Sequence, residues 1–384
     1  MKHFPAFLPS IKKEAIENIN NELKELSISG NYGKAIRNVE KKYSELHSNY
    51  SAVLCSSGTT ALHLACLGLG INEKSTVVVP ASTNMATFFA PIYCGAKVIP
   101  CDVNEDDGLI DIKRLEEICK SINVDVVIPV HLYGHVVDPE KLDELAKEYN
   151  FKIIEDCAEA HFASWQKHGK YVGCNHDAGC FSFYANKIIS CGEGGIVLFK
   201  NKKDADIARS YKNLSFGSEK DTSKFFHKKL GFNYRLSNLQ ASLLLSSIER
   251  KDEILKIRRT IASYYDKYLK NKSYIKSLYS QIDSYRVNWV YGIKLQKKVF
   301  QNFSSKNQLI RKITQSGVEV RDYFYPADQQ DFLINYSKKK GYQFNSCDNA
   351  YKFYYDSIYL PVYEDLKEND VKNIVGIIDR ILEK

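Results

Sequence analysis

In FKIIEDCAEAHFASWQKHGKYVGCNHDAGCFSFYANKIISCGEGGI, residues 151–196, three chemically active features lie close together. The apolar pair Ile153 and Ile154 ends in two carboxylates, Glu155 and Asp156. A second apolar run over 178–184 leads to Lys187. The loop Gly192-Glu193-Gly194-Gly195 follows, then a third apolar run over 196–199. Short buried strands that end in a functional side chain are how open α/β sheets build sites at their carboxyl edges. A lysine at such an edge loses charge by desolvation and becomes a nucleophilic amine that forms Schiff bases with carbonyls. A carboxylate nearby can hold a protonated ring nitrogen. Lysine for an aldehyde and aspartate for a pyridinium are the two ends of a pyridoxal phosphate site. The ordinary reading stands against this: most lysines are solvated, and most aspartates after strands cap turns or helices. The linked pattern, not Lys187 alone, favours chemistry.

The flanking sequence supplies the elements that would hold these groups. An N-terminal arm and a helix over 11–26 come first. Residues 50–55 alternate as a strand and run into Ser56-Ser57-Gly58-Thr59-Thr60, then a helical pattern over 61–69. Small residues between a strand and a helix let backbone amides and hydroxyls grip a phosphate, although Ser and Thr are equally ordinary caps. Strands are expected at 75–80, 97–103, 124–130 and 153–156, with a helix over 142–149. Strands alternating with helices indicate a mostly parallel sheet. A long loop is expected over 209–232, then a helix over 238–251. Helices over 253–269, 306–316 and 366–382, with strands at 288–295 and 318–321, form a smaller α+β part. The expected division is a large domain over 1–251 and a small one over 252–384.

Composition narrows the classes. A chain of 384 residues with 44% hydrophobic and 26% charged residues is ordinary for a globular protein and can hold both parts. A net charge of +8 suits an anionic substrate or cofactor. No basic run or aromatic-basic repeat points to nucleic acid. The ten cysteines form no Cys-x-x-Cys pair or zinc spacing, so no metal site is expected. Several sit in apolar runs as small hydrophobes, which suits a reducing cytoplasm. The N-terminus lacks an apolar signal core, and no stretch is long enough to span a membrane.

EDCAEAH, FSFYANK and GEGG together resemble the sugar aminotransferase family of the DegT/DnrJ/EryC1/StrS type. The run SFY-x-NK-x-I-x-x-GEGG is most similar to that of GDP-perosamine synthases. The resemblance implies a fold type I pyridoxal-phosphate-dependent transferase: an α/β protein with a large, mostly parallel sheet domain and a smaller α+β C-terminal domain. It implies that Lys187 forms the Schiff base and shuttles the proton, and that Asp156 pairs with the ring nitrogen. Glu159 would lie near the phenolic oxygen; Ser182, Gly58 and Thr59 would hold the phosphate. GFNYRLS, residues 231–237, resembles a motif whose asparagine reaches the partner's cofactor phosphate, so Asn233 implies a homodimer with shared active sites. His131 in HLYG would lie at the site wall, as a substrate contact or equally in a structural role, and Arg321 and Tyr325 in RDYFYPADQQD would contact substrate. The implied reaction moves the amino group of L-glutamate to a ketone, foremost a nucleotide-linked 4-keto-6-deoxy sugar for surface polysaccharide.

The sequence departs from that family in places. Asn84 stands where an aromatic residue usually stacks on the pyridine, and Phe162 where a glycine is common. Asp322, Asp328 and Asp331 replace a proline, a histidine and a proline. Acids beside an anionic diphosphate are unfavourable. This admits a smaller acceptor, a phosphorylated ketone such as dihydroxyacetone phosphate. The lost stacking ring admits a non-catalytic regulator or scaffold, which intact Asp156, Ser182, Lys187 and Asn233 oppose. A dehydratase of the same fold, with histidine for lysine, is opposed by Lys187.

Overall fold

The computed structural model describes residues 2–383 apart from positions 32, 166–168, 218–222, 224 and 278–283. Its strands are β1 (Ser51–Cys55), β2 (Thr76–Pro80), β3 (Lys97–Cys101), β4 (Val126–Val127), β5 (Lys152–Asp156), β6 (Ser164–Trp165), β7 (Ala178–Ser182), β8 (Gly195–Phe199), β9 (Ile275–Ser277), β10 (Ser284–Tyr285), β11 (Tyr291–Leu295), β12 (Arg321–Asp322) and β13 (Ser357–Leu360).

Seven of them form one sheet in the order β1-β8-β7-β5-β4-β2-β3. Neighbours from β7 to β3 pair in parallel, whereas β8 runs antiparallel to both β1 and β7. The α/β class with a mostly parallel sheet is therefore as expected. Strands β7 and β8 are buried throughout, as near-continuous apolar runs require when helices cover both faces. One face carries the helix Gly58–Gly68, which packs on the helices Ala86–Tyr93 and Lys202–Lys212. The other carries the helices Lys34–Leu46 and Asn238–Glu249, packed on each other, and the helices Ile112–Ser121 and Pro139–Tyr149.

Because β8 opposes both neighbours, the carboxyl ends of β1, β7, β5, β4 and β2 share one edge. Register makes this concrete: Cys55 and Ser182 both pair with Gly195, the first residue of β8. Only glycine fits there, since a Cβ would stand 2.1 Å from the Ser57 carbonyl oxygen.

A second, antiparallel sheet runs β12-β13-β11-β9. Its core, including Ile293, Ile358 and Leu360, packs against residues of the helices Lys251–Leu269, Lys306–Gln315 and Glu368–Leu382. Phe4 joins this core and bridges Val318 in parallel, with Phe4 N–H donating to the Gly317 carbonyl at 2.8 Å. The strands β6 and β10 pair separately and tie the second part to the first.

Several boundaries differ from expectation. The strand expected at 124–130 is regular only at Val126–Val127; Pro129 has no N–H to continue the ladder, and pairing resumes as a single parallel bridge between Val130 and Asp156. The strand expected at 318–321 is instead a bridge to the N-terminal arm followed by β12. The helix Lys202–Lys212 takes the start of the loop expected at 209–232, and positions 218–222 and 224 of that loop lie outside the described residues. All ten cysteines are free thiols and nine are buried, so they pack as small apolar groups. Among the described residues no helix is long and apolar enough to cross a membrane.

Candidate active site

A cavity of about 310 Å³ opens at the shared carboxyl edge. The turn after β1 contributes Gly58 and Thr59, the end of β5 contributes Asp156 and Glu159, and the end of β7 contributes Ser182 and Lys187. The sequence pattern thus reaches one place from three separate strands.

The helix Gly58–Gly68 starts with a capping box: Ser57 Oγ accepts from Thr60 N–H at 3.2 Å, and Thr60 Oγ1 accepts from Ser57 N–H at 2.9 Å. The amides of Gly58 and Thr59 fall in the first turn, where no intrahelical acceptor exists. A Cβ on Gly58 would lie 2.7 Å from the Ser182 Cβ, so glycine lets this turn close onto β7. Ser182 is fixed from behind. Its carbonyl accepts from His161 Nε2 at 2.7 Å, and His161 Nδ1 meets the Tyr43 hydroxyl at 2.8 Å. Burial pushes the His161 pKa down to about 3, so the ring is a neutral brace. The next residue, Phe162, has φ +62°. The left-handed region favours glycine, and packing among Tyr43, His47 and Tyr171 offsets the cost of a bulky residue there.

Lys187 sits on a turn locked to the Gly-rich loop. Phe183 N–H donates to the Gly194 carbonyl at 2.8 Å, Ala185 N–H to Gly192 at 2.9 Å, and Lys187 N–H to Tyr184 at 2.9 Å. Its Nζ lies 3.6 Å from Glu159 Oε1 and 4.0 Å from the centroid of the Trp289 ring. Burial pulls the lysine pKa down, opposed by Glu159 and Asp156. Burial raises the Glu159 pKa, opposed first by Lys187. The other Glu159 oxygen accepts from Tyr133 N–H at 3.0 Å, an amide aimed there by the left-handed backbone of Tyr133, φ +52°.

Asp156 is 4% exposed. Its Oδ2 accepts from the Thr87 hydroxyl at 2.8 Å and its Oδ1 from Ala158 N–H at 3.1 Å. Burial raises its pKa, opposed by those two donors and then by Lys187. It is a buried carboxylate suited to a cationic partner.

Glu155 points to the opposite face of β5 and does different work. It accepts from the backbone N–H groups of Gly173, Asn175 and His176, at 2.9, 3.0 and 3.3 Å. His131 Nε2 donates to it at 3.1 Å, because His131 Nδ1 already accepts from Val137 N–H at 3.2 Å. His131 therefore braces β5 and does not line the cavity, which matches the structural alternative and not the substrate contact. Burial pushes the Glu155 pKa up, but His176 and His131 outweigh it and hold the carboxyl well below the usual range. A depressed folded pKa contributes stability that is complete above the unfolded value, about 4.3. That contribution is lost as pH falls through the folded value. Glu155→Gln is expected to lower unfolding free energy at neutral pH by about 3 kcal/mol, read by urea titration. It should also flatten the acid side of the stability profile.

Other expected contacts lie elsewhere. Arg321 is exposed and bound to Glu319, with Nε at 3.0 Å. The Tyr325 hydroxyl donates to Gln329 at 3.1 Å. Neither lines the cavity, although Phe324 does. Asn233 is exposed, outside its own chain's cavity, and bridges Asn213. Asp322 pairs with Lys306 at 2.7 Å, and Asp328 accepts from Cys347 N–H at 3.0 Å. Asp322, Asp328 and Asp331 all lie outside the cavity lining, which weakens the argument that they would repel an anionic acceptor.

Thr87, Trp289 and Tyr359 line the cavity without having been anticipated. Thr87 carried a usable signal, a hydroxyl just inside a helix that follows a strand. Trp289 and Tyr359 come from distant sequence and carried none. At the position of the expected stacking ring, Asn84 lines the cavity and accepts from Ala86 N–H at 3.0 Å as a helix-start residue.

Residues 9–379 match the DegT/DnrJ/EryC1/StrS aminotransferase family. The chain is 35% identical over 330 residues to the GDP-perosamine synthase of Escherichia coli O157:H7, covering 85% of this chain and 86% of that one. It is 29% identical over 382 residues to a UDP-4-amino-4,6-dideoxy-N-acetyl-beta-L-altrosamine transaminase of Campylobacter jejuni, covering 98% and 96%. Among solved structures it is similar in fold to Helicobacter pylori PseC, an aminotransferase involved in the biosynthesis of pseudoaminic acid. That match has a TM-score of 0.89 at 23% identity and covers all of both chains.

Proposed function

The chain belongs to the DegT/DnrJ/EryC1/StrS aminotransferase family, and we propose that it binds pyridoxal 5′-phosphate and moves the amino group of L-glutamate to a nucleotide-linked 4-keto-6-deoxy sugar. The product would feed surface polysaccharide synthesis, and the enzyme would work in the cytoplasm as a homodimer. The observation that carries this is the meeting of Lys187, Asp156 and the Gly58–Thr59 turn in one cavity.

The residues fit the cofactor. A cavity with a buried carboxylate at one wall, an amine at another and a helix start closed by glycine matches its ring nitrogen, aldehyde and phosphate. When bound, the cofactor supplies an electron sink for the bonds at the carbon carrying the amino group. Lys187 would hold the cofactor through its aldehyde, and burial, which draws its pKa down, favours the neutral amine needed for that. It then carries the proton to and from that carbon. Asp156 holds the ring-nitrogen proton. Ser182, Gly58 and Thr59 hold the phosphate. With Lys187 engaged, Glu159 would lose its ion pair, and the burial that raises its pKa would favour a protonated carboxyl able to donate to the phenolic oxygen.

Asn233, exposed and outside its own cavity, is assigned to the partner's phosphate, so each site needs two chains. The division into a large part over 1–251 and a small part over 252–384 places Trp289 and Tyr359 on the small side as one wall. Tyr325, next to the lining residue Phe324, would meet the carrier end of the acceptor. Arg321 receives no role at the reacting carbon.

The test is 2-oxoglutarate release from glutamate by the loaded protein. Nucleotide-linked 4-keto-6-deoxy sugars are offered in some wells and small phosphorylated ketones in others. Turnover with the sugars alone is expected. Turnover with the small ketones alone would keep the chemistry and overturn the acceptor, and no turnover with any acceptor would overturn the reading.

A further inference from the structure

We infer that the Trp289 indole face and the Glu159 carboxylate form a docking cage for the Lys187 ammonium whenever that amine is not joined to the cofactor. This makes Trp289 a positioning residue for the lysine and rests on the reading of the site given above. In amino transfer the incoming amine would take the lysine's place on the cofactor, which frees the lysine amine before any proton moves. The free amine must then stay close enough to deliver its proton and to return. In the structure Lys187 Nζ lies between Glu159 Oε1 at 3.6 Å and the Trp289 ring centroid at 4.0 Å.

Both walls are built. Trp289 is 5% exposed, and its Nε1–H donates to the carbonyl of Asn186, the residue before the lysine, at 2.7 Å. The indole is thereby tied to the lysine's own turn. Its other support is the Tyr133 ring, nearly parallel to it with centroids 6.0 Å apart. Tyr133 also holds the opposite wall, since its N–H donates to the second Glu159 oxygen at 3.0 Å. One residue fixes both sides of the cage. Tyr133 can do so because Gly134, at φ +87°, carries no Cβ to strike the Val287 carbonyl oxygen.

An aromatic face suits this task where a second carboxylate would not. It attracts the cation through the ring quadrupole but accepts no proton, so the amine stays free to deprotonate. The other charged groups around the lysine are Asp156 at the end of β5 and Glu193 on the loop before β8, both lining the cavity. His161 lies behind Ser182 and is held neutral. None of these stands in for the indole face.

The experiment follows cofactor capture by the full-length protein freed of cofactor, as a function of pH. Capture needs the neutral amine: its lone pair forms the carbon–nitrogen bond, and the aldehyde oxygen leaves as water. The midpoint of the rate profile therefore reports the Lys187 pKa. The indole favours the ammonium, so removing it lowers that pKa. Trp289→Leu is expected to move the midpoint down by about one pH unit, whereas Trp289→Phe should hold it within about 0.3.

Because Leu in a buried site could disturb folding, a second measurement keeps the shape. The chain has two tryptophans, Trp165 and Trp289. In a Trp165→Phe background, fluorinated tryptophan alters only residue 289 and weakens the ring quadrupole. A downward shift graded with fluorine number is expected. Capture by the wild type with an unmoved midpoint in both the Leu and fluorinated proteins would overturn the cage alone. Failure of the wild type to capture cofactor at Lys187, judged against Lys187→Ala, would overturn the cage and the underlying reading together.

Discussion

Changing Lys187 to alanine is expected to lower turnover by at least about a thousand-fold. Among the described residues lining the cavity it is the only amine. Both of its roles, attack on the aldehyde and transfer of the proton, therefore vanish together. The phosphate and ring contacts assigned to Ser182, Gly58, Thr59 and Asp156 remain, so the variant should still take up cofactor without joining it. The readouts are 2-oxoglutarate release and the absorbance of the lysine-bound cofactor. A small added amine should restore part of the rate, because the Trp289 and Glu159 walls leave a slot of the right chemistry. Residual turnover above a few per cent without added amine would remove Lys187 from the mechanism.

What the sequence made legible is what lies next to strand ends. Asp156, Ser182 and Gly58 follow apolar runs that strand burial explains, and parallel pairing with one reversed strand, β8, brings those ends to one edge. Asp156 and Glu155 illustrate the limit. Adjacent residues on a strand face opposite ways, so one carboxylate enters the cavity and the other staples the 173–176 backbone. Sequence alone presented both as a pair. His131 took the structural one of its two expected roles for a related reason. The HLYG turn does reach the site, but through the Tyr133 backbone amide rather than through the histidine ring. A role carried by a main-chain N–H leaves no side-chain signature.

The C-terminal part was harder still. Strand β13, in the middle of its sheet, follows the helix Asp348–Asp356 with no turn residue between them. Trp289, just before β11, reaches Lys187 only once the second part has docked on the first. The apparent acidity of the 322–331 segment was likewise a sequence impression. Lys306 pairs with Asp322, the Cys347 amide donates to Asp328, and none of the three acids lines the cavity.

Asp156→Asn separates charge from shape and is the sharper probe of how the ring is held. The amide is nearly isosteric: its oxygen can accept from Ala158 N–H, and its nitrogen can donate to Thr87 Oγ1. That hydroxyl can turn toward Thr83 Oγ1, 2.9 Å away. The fold should therefore persist, with thermal stability near that of the wild type. What disappears is a buried negative charge. Burial raises the Asp156 pKa, so its ionised form gains from a cation beside it. A protonated ring nitrogen is such a cation, and the two charges stabilise each other in a water-poor site. Neutralising one leaves the other uncompensated, and the ring then gives up its proton. Turnover is expected to fall roughly 100- to 1000-fold, with weaker cofactor retention on dialysis but intact covalent capture by Lys187. A variant that keeps near-normal turnover would show that another group protonates the ring. Thr87, the remaining polar neighbour at that wall, would then be the first residue to replace.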